Sequence, residues 1–177
     1  GIGYDAMEHA NQGVDGLYLR EGEQILLPTR FILPDAPREG IVINLPEMRL
    51  YYYPPNSNVV HVFAIGIGRE GWGTPKGILS IKEKRANPTW TPPASIRAEH
   101  AANGDPLPAV VPAGPDNPLG LFAMRLSNPS YLLHGTNKPE GVGMRVLHGC
   151  IRLYPEGIQE LFGMVDVGTQ VNIVNQP

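Results

Sequence analysis

Glycine and proline recur along almost the whole of this chain, with 21 glycines and 19 prolines among 177 residues. Both residues interrupt helices, and only 7% of the residues are aromatic, so the backbone is predicted to turn often and to form few long helices. We therefore predict a mainly β fold. The length suits one well-buried domain with a small appendage.

Short apolar segments between turn-forming residues mark the predicted strands. Only residues 155–164 in the C-terminal half are predicted to be helical, because Ile158, Leu161 and Phe162 recur at helical spacing. A β-rich domain is predicted over residues 37–177, following an N-terminal part and linker at 1–36. The predicted strands are residues 40–44 and 49–53 around a turn at 46–47, then 59–67, 77–84, 120–126, 132–135 and 169–174.

The segment between Lys84 and Gly120 is too rich in proline for regular structure to be expected. Long stretches of this kind in compact domains are usually lids or binding loops. A disordered insertion is the alternative, but such segments rarely contain a tryptophan and an apolar run like residues 108–112. We predict an ordered lid that is anchored by Trp90 and covers Cys150.

Charge and hydropathy exclude two classes of partner. The net charge is −3 and the basic residues are not clustered, so no nucleic-acid binding is expected. No apolar run approaches the roughly 20 residues that a membrane-spanning helix requires. The chain begins Gly1-Ile2-Gly3 without a methionine or a signal peptide, so we expect a fragment trimmed from a longer precursor.

Chemistry is expected at the single cysteine, Cys150, within the run LHGCIRL at residues 147–153. His134 lies 16 residues upstream, and an imidazole near a thiol is the usual means of generating a thiolate nucleophile. A buried core cysteine is the alternative, since free cysteine is often fully buried. Gly149 favours the nucleophile, because a glycine lets the backbone approach a substrate and points amides at an oxyanion.

Two other kinds of site, a dinucleotide site and a zinc site, are not expected. Residues 66–71 match Gly-x-Gly-x-x-Gly, but residues 72–75 break any helix, so we predict a glycine-rich hairpin loop instead of a dinucleotide site. His134, His148 and Cys150 are competent zinc ligands, with His61 or His100 as a fourth. Their spacing does not fit the usual zinc patterns, and no metal or other cofactor is expected.

The chain contains the runs HGTN at residues 134–137 and HGCIRL at residues 148–153, and this pair resembles the signature of the L,D-transpeptidases, the YkuD-type cell-wall enzymes. Residues 8–15 followed by 21–28 also resemble the second half of a LysM peptidoglycan-binding module. The combination is similar to the periplasmic Gram-negative branch, and the transpeptidase resemblance runs from about Gly40 to the C-terminus. It is carried by HGTN at 134–137, HGCIRL at 148–153, residues 65–68 with 74–75, and segments 87–93, 112–120 and 167–169.

The resemblance implies a YkuD-type β-sandwich with mixed sheets, one or two short helices and a long proline-rich lid. It also implies a cysteine acyl-transfer cycle. Cys150 would be the nucleophile and His134 the base, with the backbone carbonyl of Gly135 orienting the imidazole and the amide of Gly149 contributing to an oxyanion hole. His148, Arg152, Trp90, Asn117 and Thr136 are the expected substrate-binding residues, with Arg152 suited to a substrate carboxylate.

The implied substrate is a peptidoglycan tetrapeptide stem, acylating Cys150 through its diaminopimelate carbonyl with loss of D-alanine. The acyl group would pass to a lysine of an outer-membrane lipoprotein or to a second diaminopimelate, and the expected compartment is the periplasm. Hydrolysis of the same stem and non-catalytic wall binding remain alternatives. Leu147 stands where the family has serine or threonine, but the nucleophile, base and oxyanion amides do not use that side chain. Activity, including covalent addition of a carbapenem at Cys150, is therefore expected.

Overall fold

The computed structural model describes residues 32–67, 77–139 and 150–177, and within them eight strands and two helices. The mainly β prediction is confirmed. The LysM-like segments and most of the loop after Gly66 lie outside the described residues, so the two-part division of the chain stays a prediction. In chain order the elements are β1 (Gly40–Asn44), β2 (Arg49–Tyr53), β3 (His61–Ile67), β4 (Gly77–Ala86), α1 (Ala94–Ala102), β5 (Phe122–Leu126), β6 (Leu132–His134), β7 (Cys150–Leu153), α2 (Pro155–Met164) and β8 (Gln170–Val174).

The strands form a closed barrel in the order β1-β2-β3-β7-β6-β5-β4-β8, with β8 returning to β1. The pairs β1/β8 and β6/β7 are parallel, and the other pairs are antiparallel. Two long strands belong to two mixed sheets at once. The first part of β3 pairs with β2 and its last part with β7, while β4 leaves β8 for β5 at Ile81, beside a register shift between Ile81 and Glu83. Such irregularities bend a strand, which closes the sandwich-like sheets into one barrel.

Alternate residues of each strand point into the barrel, and most of these inward-pointing residues are apolar, so the interior forms an apolar core. Burying a large side chain of this kind stabilises the fold by about 1.5–3 kcal/mol. The second helix, α2, also contributes to this core with Ile158 and Leu161. Among the completely or almost completely buried core residues are Ile41, Ile43, Leu50, Phe63, Ile81, Met124, Leu126, Leu133, Ile151, Leu153, Val171 and Ile173.

The two helices differ in how well the sequence predicts them. The predicted bounds of α2 agree with the structure, and the helix has the expected proline in its first turn. The prediction that residues 155–164 are the only helix in this half, with no regular structure between Lys84 and Gly120, is wrong, because α1 lies inside the proline-rich segment. Its alanines favour a helix, but Ile96 is its only buried residue, so no apolar periodicity marks it.

Strand predictions agree with the structure to within about two residues, apart from β7. This four-residue strand, Cys150–Leu153, was not predicted, although it contains the proposed nucleophile. Its parallel pairing with β6 gives it a place in the barrel that no local pattern specifies. No helix within the described ranges is long and apolar enough to cross a membrane.

Candidate active site

The candidate site lies on the outer face of the parallel pair β6/β7. Leu132 is paired with Cys150, and His134 with Arg152. Residues directly paired across two strands point to the same side of a sheet, as do residues two apart on one strand. Since Leu133, which lies between Leu132 and His134, points into the barrel core, all four of these side chains belong to the opposite face. The fold thus brings the predicted nucleophile and base together on one surface.

The proline-rich segment covers Cys150 as predicted. Cys150 is only 9% exposed and belongs to an apolar cluster separate from the barrel core. Trp90, 3% exposed, is part of this cluster, in agreement with its predicted role as an anchor. We call residues 87–120 the lid. Its other contributions to the cluster come from Ile96, Leu107, Val111 and Leu119.

Hydrogen bonds inside the lid fix its shape. Trp90 and Val111 exchange two backbone hydrogen bonds, with N···O distances of 2.9 and 2.7 Å. The side chain of Asn117 is fully buried, and its Nδ2 donates to the carbonyls of Pro88 at 2.8 Å and Pro112 at 3.2 Å. Its Oδ1 accepts from the amide of Leu119 at 2.9 Å. The amide of Asn117 is therefore used within the lid itself.

His134 is buried and held in a defined orientation. Its Nδ1 lies 2.5 Å from the carbonyl oxygen of Gly135, which can only accept, so Nδ1 carries the proton. Burial lowers the pKa of His134 to about 4, with a smaller contribution from the positive charge of Arg152, while the bond to Gly135 opposes both. The imidazole is therefore neutral at neutral pH, with its lone pair on Nε2. Within the described residues that buried Nε2 has no hydrogen-bond partner.

The backbone of Gly135 is itself fixed by its surroundings. Its amide donates to the carbonyl of Phe122 at 3.1 Å. A Cβ at this position would lie 3.0 Å from Cγ2 of Ile158 and 3.4 Å from the carbonyl oxygen of Leu119, tighter than side chains normally pack. A side chain at Gly135 would therefore need Ile158 to shift by a few tenths of an ångström, so the carbonyl that faces His134 belongs to a closely packed backbone.

Arg152 lies against Gly66, a glycine that was not predicted to be a site residue. Gly66 on β3 is its register partner, and a Cβ at Gly66 would lie 3.2 Å from Nη2 and 3.4 Å from Nε of Arg152. The missing side chain of Gly66 leaves room for the guanidinium over β3. The signal for this contact in the sequence was a glycine inside a predicted strand, which often marks a close approach.

The remaining predicted site residues differ in what the structure says about them. Thr136 is 8% exposed, and its Oγ1 accepts from the amide of Lys138 at 3.0 Å. His148 and Gly149 lie outside the described residues, as does Leu147, so their predicted roles stay predictions.

The two other histidines considered as zinc ligands each face a separate carboxylate. Nδ1 of His61 lies 3.6 Å from Glu160, and Nδ1 of His100 lies 3.5 Å from Asp105. In the part of the chain that the structure describes, no group of three histidine, cysteine or acidic side chains is arranged to hold a metal ion.

The structure combines a buried cysteine under a lid, a neutral histidine oriented by a backbone carbonyl and a mixed β-barrel. A cysteine with a neutral histidine is the pair of side chains that cysteine acyl-transfer enzymes use. Comparison with protein families identifies the family to which the chain belongs. The model of the YkuD L,D-transpeptidase catalytic domain matches residues 38–173, and the chain belongs to this family.

Curated relatives support the assignment along the whole chain. The probable L,D-transpeptidase YcfS of Escherichia coli K12 is 54% identical over 180 residues, covering 99% of this chain and 56% of the relative. The probable L,D-transpeptidase ErfK/SrfK of the same strain is 50% identical over 178 residues, covering 100% and 57%. The chain thus spans a little over half the length of these relatives.

Solved structures show the same fold at low identity. The crystal structure of a mutant Enterococcus faecium L,D-transpeptidase has a TM-score of 0.53 and 22% identity, covering 77% of this chain and 49% of that one. The catalytic domain of the E. faecium enzyme acylated by ertapenem, solved by NMR, has a TM-score of 0.52 and 24% identity, covering 77% and 96%. The predicted YkuD-type fold is confirmed.

Proposed function

We propose that this protein is a cysteine-dependent L,D-transpeptidase that acts on tetrapeptide stems of peptidoglycan. The observation that carries the proposal is the buried Nε2 of His134, which has no hydrogen-bond partner among residues 32–67, 77–139 and 150–177 and belongs to a side chain on the same strand face as Cys150. Leaving a buried acceptor without a partner costs about 1–3 kcal/mol, and such costs persist where function needs the group. Because the chain belongs to the YkuD family, we propose that this lone pair accepts the proton of the Cys150 thiol.

In the first half-reaction, Sγ of Cys150 attacks the diaminopimelate carbonyl while its proton passes to Nε2 of His134. The oxyanion that forms is held by backbone amides near Gly149 and Cys150. The tetrahedral intermediate collapses with rupture of the bond to the terminal D-alanine, whose nitrogen takes the proton from Nε2. A thioester on Cys150 and free D-alanine result.

The second half-reaction transfers the acyl group to an amine. The acceptor nitrogen attacks the thioester and gives its proton to Nε2 of His134. The carbon–sulfur bond then breaks, and the proton returns to Sγ. His134 must be a neutral imidazole, with Nε2 free of a proton, at the start of each half-reaction, and its low pKa keeps it neutral at neutral pH. The carbonyl of Gly135 supports the transient imidazolium through the hydrogen bond from Nδ1.

The lid supports transfer in preference to hydrolysis. Its apolar cluster around Cys150 limits the access of water to the thioester, while an acceptor peptide can displace lid contacts as it binds. We propose that Trp90 and Thr136 contribute to substrate binding, together with His148. Asn117 contributes to substrate binding indirectly, by fixing the shape of the lid, because its side-chain amide is hydrogen-bonded to other lid residues.

Arg152 is proposed to hold a carboxylate of the stem. Its guanidinium lies against Gly66 on the side of the sheet that carries His134 and Cys150. Diaminopimelate has a carboxylate beyond the one that forms the peptide bond, and an arginine fork binds such a group in a fixed orientation. The proposed compartment is the periplasm, and the proposed acceptor is a lipoprotein lysine or a second diaminopimelate.

The test is a product analysis with purified disaccharide-tetrapeptide, first alone and then with a peptide that ends in lysine. We expect release of D-alanine together with either a cross-linked dimer or a tripeptide–lysine conjugate, and no product from Cys150→Ala. Tripeptide as the sole product would make the enzyme a hydrolase. Intact tetrapeptide under all conditions would support wall binding without catalysis.

A further inference from the structure

The end of the lid lies directly on the backbone that orients His134. Gly120 has a φ of +71°, and a Cβ built on it would lie 2.6 Å from the amide nitrogen of Thr136 and 3.1 Å from the carbonyl carbon of Gly135. Real side chains essentially never approach a backbone so closely. Gly120 is therefore required twice, by its left-handed backbone and by its contact with the peptide that joins Gly135 to Thr136.

This peptide is the one whose carbonyl accepts the proton on Nδ1 of His134. The amide of Gly120 donates to the carbonyl of Asn117 at 3.1 Å, so the contact belongs to a turn closed by the buried Asn117. On another side of Gly135 stands Ile158 of α2. The peptide is thus held between the lid and a helix anchored in the barrel core.

We infer that Gly120 is a positioning residue for the base: the closing turn of the lid, residues 117–120, sets the carbonyl of Gly135 and through it the tautomer and orientation of His134. The inference rests on the proposed role of His134. A neutral imidazole has two tautomers of similar energy, and the hydrogen bond made by one nitrogen decides which is present. Moving the Gly135 carbonyl weakens that selection and lets the proton occupy Nε2, where it blocks the base.

Gly120→Ala tests the inference, with Gly104→Ala as a matched control in the same lid. Gly104 has nearly the same backbone conformation, with a φ of +75°, but a Cβ there meets nothing within 4 Å. Both variants therefore carry similar backbone strain, and only Gly120→Ala presses on the peptide that joins Gly135 to Thr136. We expect Gly120→Ala to lower the rate constant for acylation of Cys150 roughly tenfold to a hundredfold relative to the control.

A second readout separates positioning from general damage to the fold. The ¹⁵N chemical shifts of the His134 ring report its tautomer in the folded protein. Wild type and Gly104→Ala should both show the proton on Nδ1, while Gly120→Ala should show a mixture of tautomers. Should Gly120→Ala fail to fold, Asn117→Ser, which removes the bonds to Pro88 and Pro112, loosens the same turn and should produce the same mixture.

The outcomes also separate this inference from the proposed function. Equal acylation rates and equal ring shifts in Gly120→Ala and Gly104→Ala, with slow acylation in His134→Gln, would overturn the positioning role alone. An unchanged acylation rate in His134→Gln would overturn the base itself, whatever the Gly120 variants do.

Discussion

The two faces of the strands β6 and β7 have opposite characters although their residues alternate along the chain. Inward, Leu133, Ile151 and Leu153 are completely or almost completely buried among other apolar side chains. Outward, His134 and Cys150 are nearly as buried, but Cys150 packs in the apolar cluster of the lid, and in the described part of the chain Nε2 of His134 has no hydrogen-bond partner. Burial on the inner face stabilises the fold, while burial on the outer face lowers the pKa of His134.

The comparison shows how a barrel can support a costly site. The neutral, desolvated His134 destabilises the folded state, and the apolar core directly beneath it compensates without taking part in the reaction. If this division is correct, changes on the inner face should reduce stability with little effect on the folded enzyme's rate. Changes on the outer face should reduce the rate of the folded enzyme with little effect on stability.

The largest expected effect comes from the base. His134→Gln keeps a side chain of similar reach that can donate to the carbonyl of Gly135 but cannot accept a proton. We expect acylation of Cys150 to slow by about 10²–10⁴-fold, the usual contribution of a general base. Stopped-flow or quenched acylation kinetics, expressed per folded molecule, would measure it. A loss below about threefold would remove His134 from the mechanism.

The inner face should respond differently. Leu133→Ala truncates a fully buried side chain between the two site residues Leu132 and His134, and should cost about 2–5 kcal/mol of unfolding free energy. Acylation per folded molecule should change by less than about threefold. Urea unfolding and acylation kinetics on the same preparation check both parts. A large rate loss at unchanged stability would contradict the separation of the two faces.

The pH dependence of stability sharpens the comparison further. The pKa of His134 is lowered from 6.5 to about 4 by folding, so between these values the unfolded chain binds a proton that the folded one does not. Stability should therefore fall as the pH falls from 6.5 toward 4, by up to about 3 kcal/mol from this residue. Urea unfolding at several pH values should show a shallower fall for His134→Gln. Identical slopes would mean that His134 is not desolvated.

The smallest expected effect is at the place of Arg152. Gly66→Ala puts a Cβ 3.2 Å from its guanidinium, which can shift because it ends a flexible side chain. We expect KM for the stem to rise about fivefold with kcat nearly unchanged, since a charge-assisted hydrogen bond is partly lost. Gly163→Ala is the control, because a Cβ there meets nothing within 4 Å. Equal KM values in the two variants would exclude the proposed role of Gly66.

Local patterns predicted most of the barrel. The bounds of β1 and β2 followed from short apolar segments between turn residues, and those of α2 from helical spacing. These signals act within a few residues. The missed elements lack such signals: α1 buries only Ile96, and β7 is defined by its parallel partner. Partners distant in the chain cannot be read from a short window of sequence.

The same limit applies to the site. Cys150 and His134 could be proposed because nucleophile and base carry recognisable side chains in a familiar motif. Gly66 and Gly120 contribute because they have no side chain. The space this leaves is filled by Arg152, 86 positions from Gly66, and by the backbone of Thr136, 16 positions from Gly120. Only the register of β3 with β7 and the path of the lid reveal those contacts.

The most direct test of the central claim, that Cys150 carries the acyl group with His134 as its base, is trapping of the acyl-enzyme. A carbapenem should add covalently to the wild-type protein, as ertapenem does to the E. faecium catalytic domain. Intact-protein mass spectrometry should show one adduct per chain, peptide mapping should locate it at Cys150, and Cys150→Ala should show none. Absence of an adduct under conditions that label an active relative, or an adduct at another residue, would contradict the account.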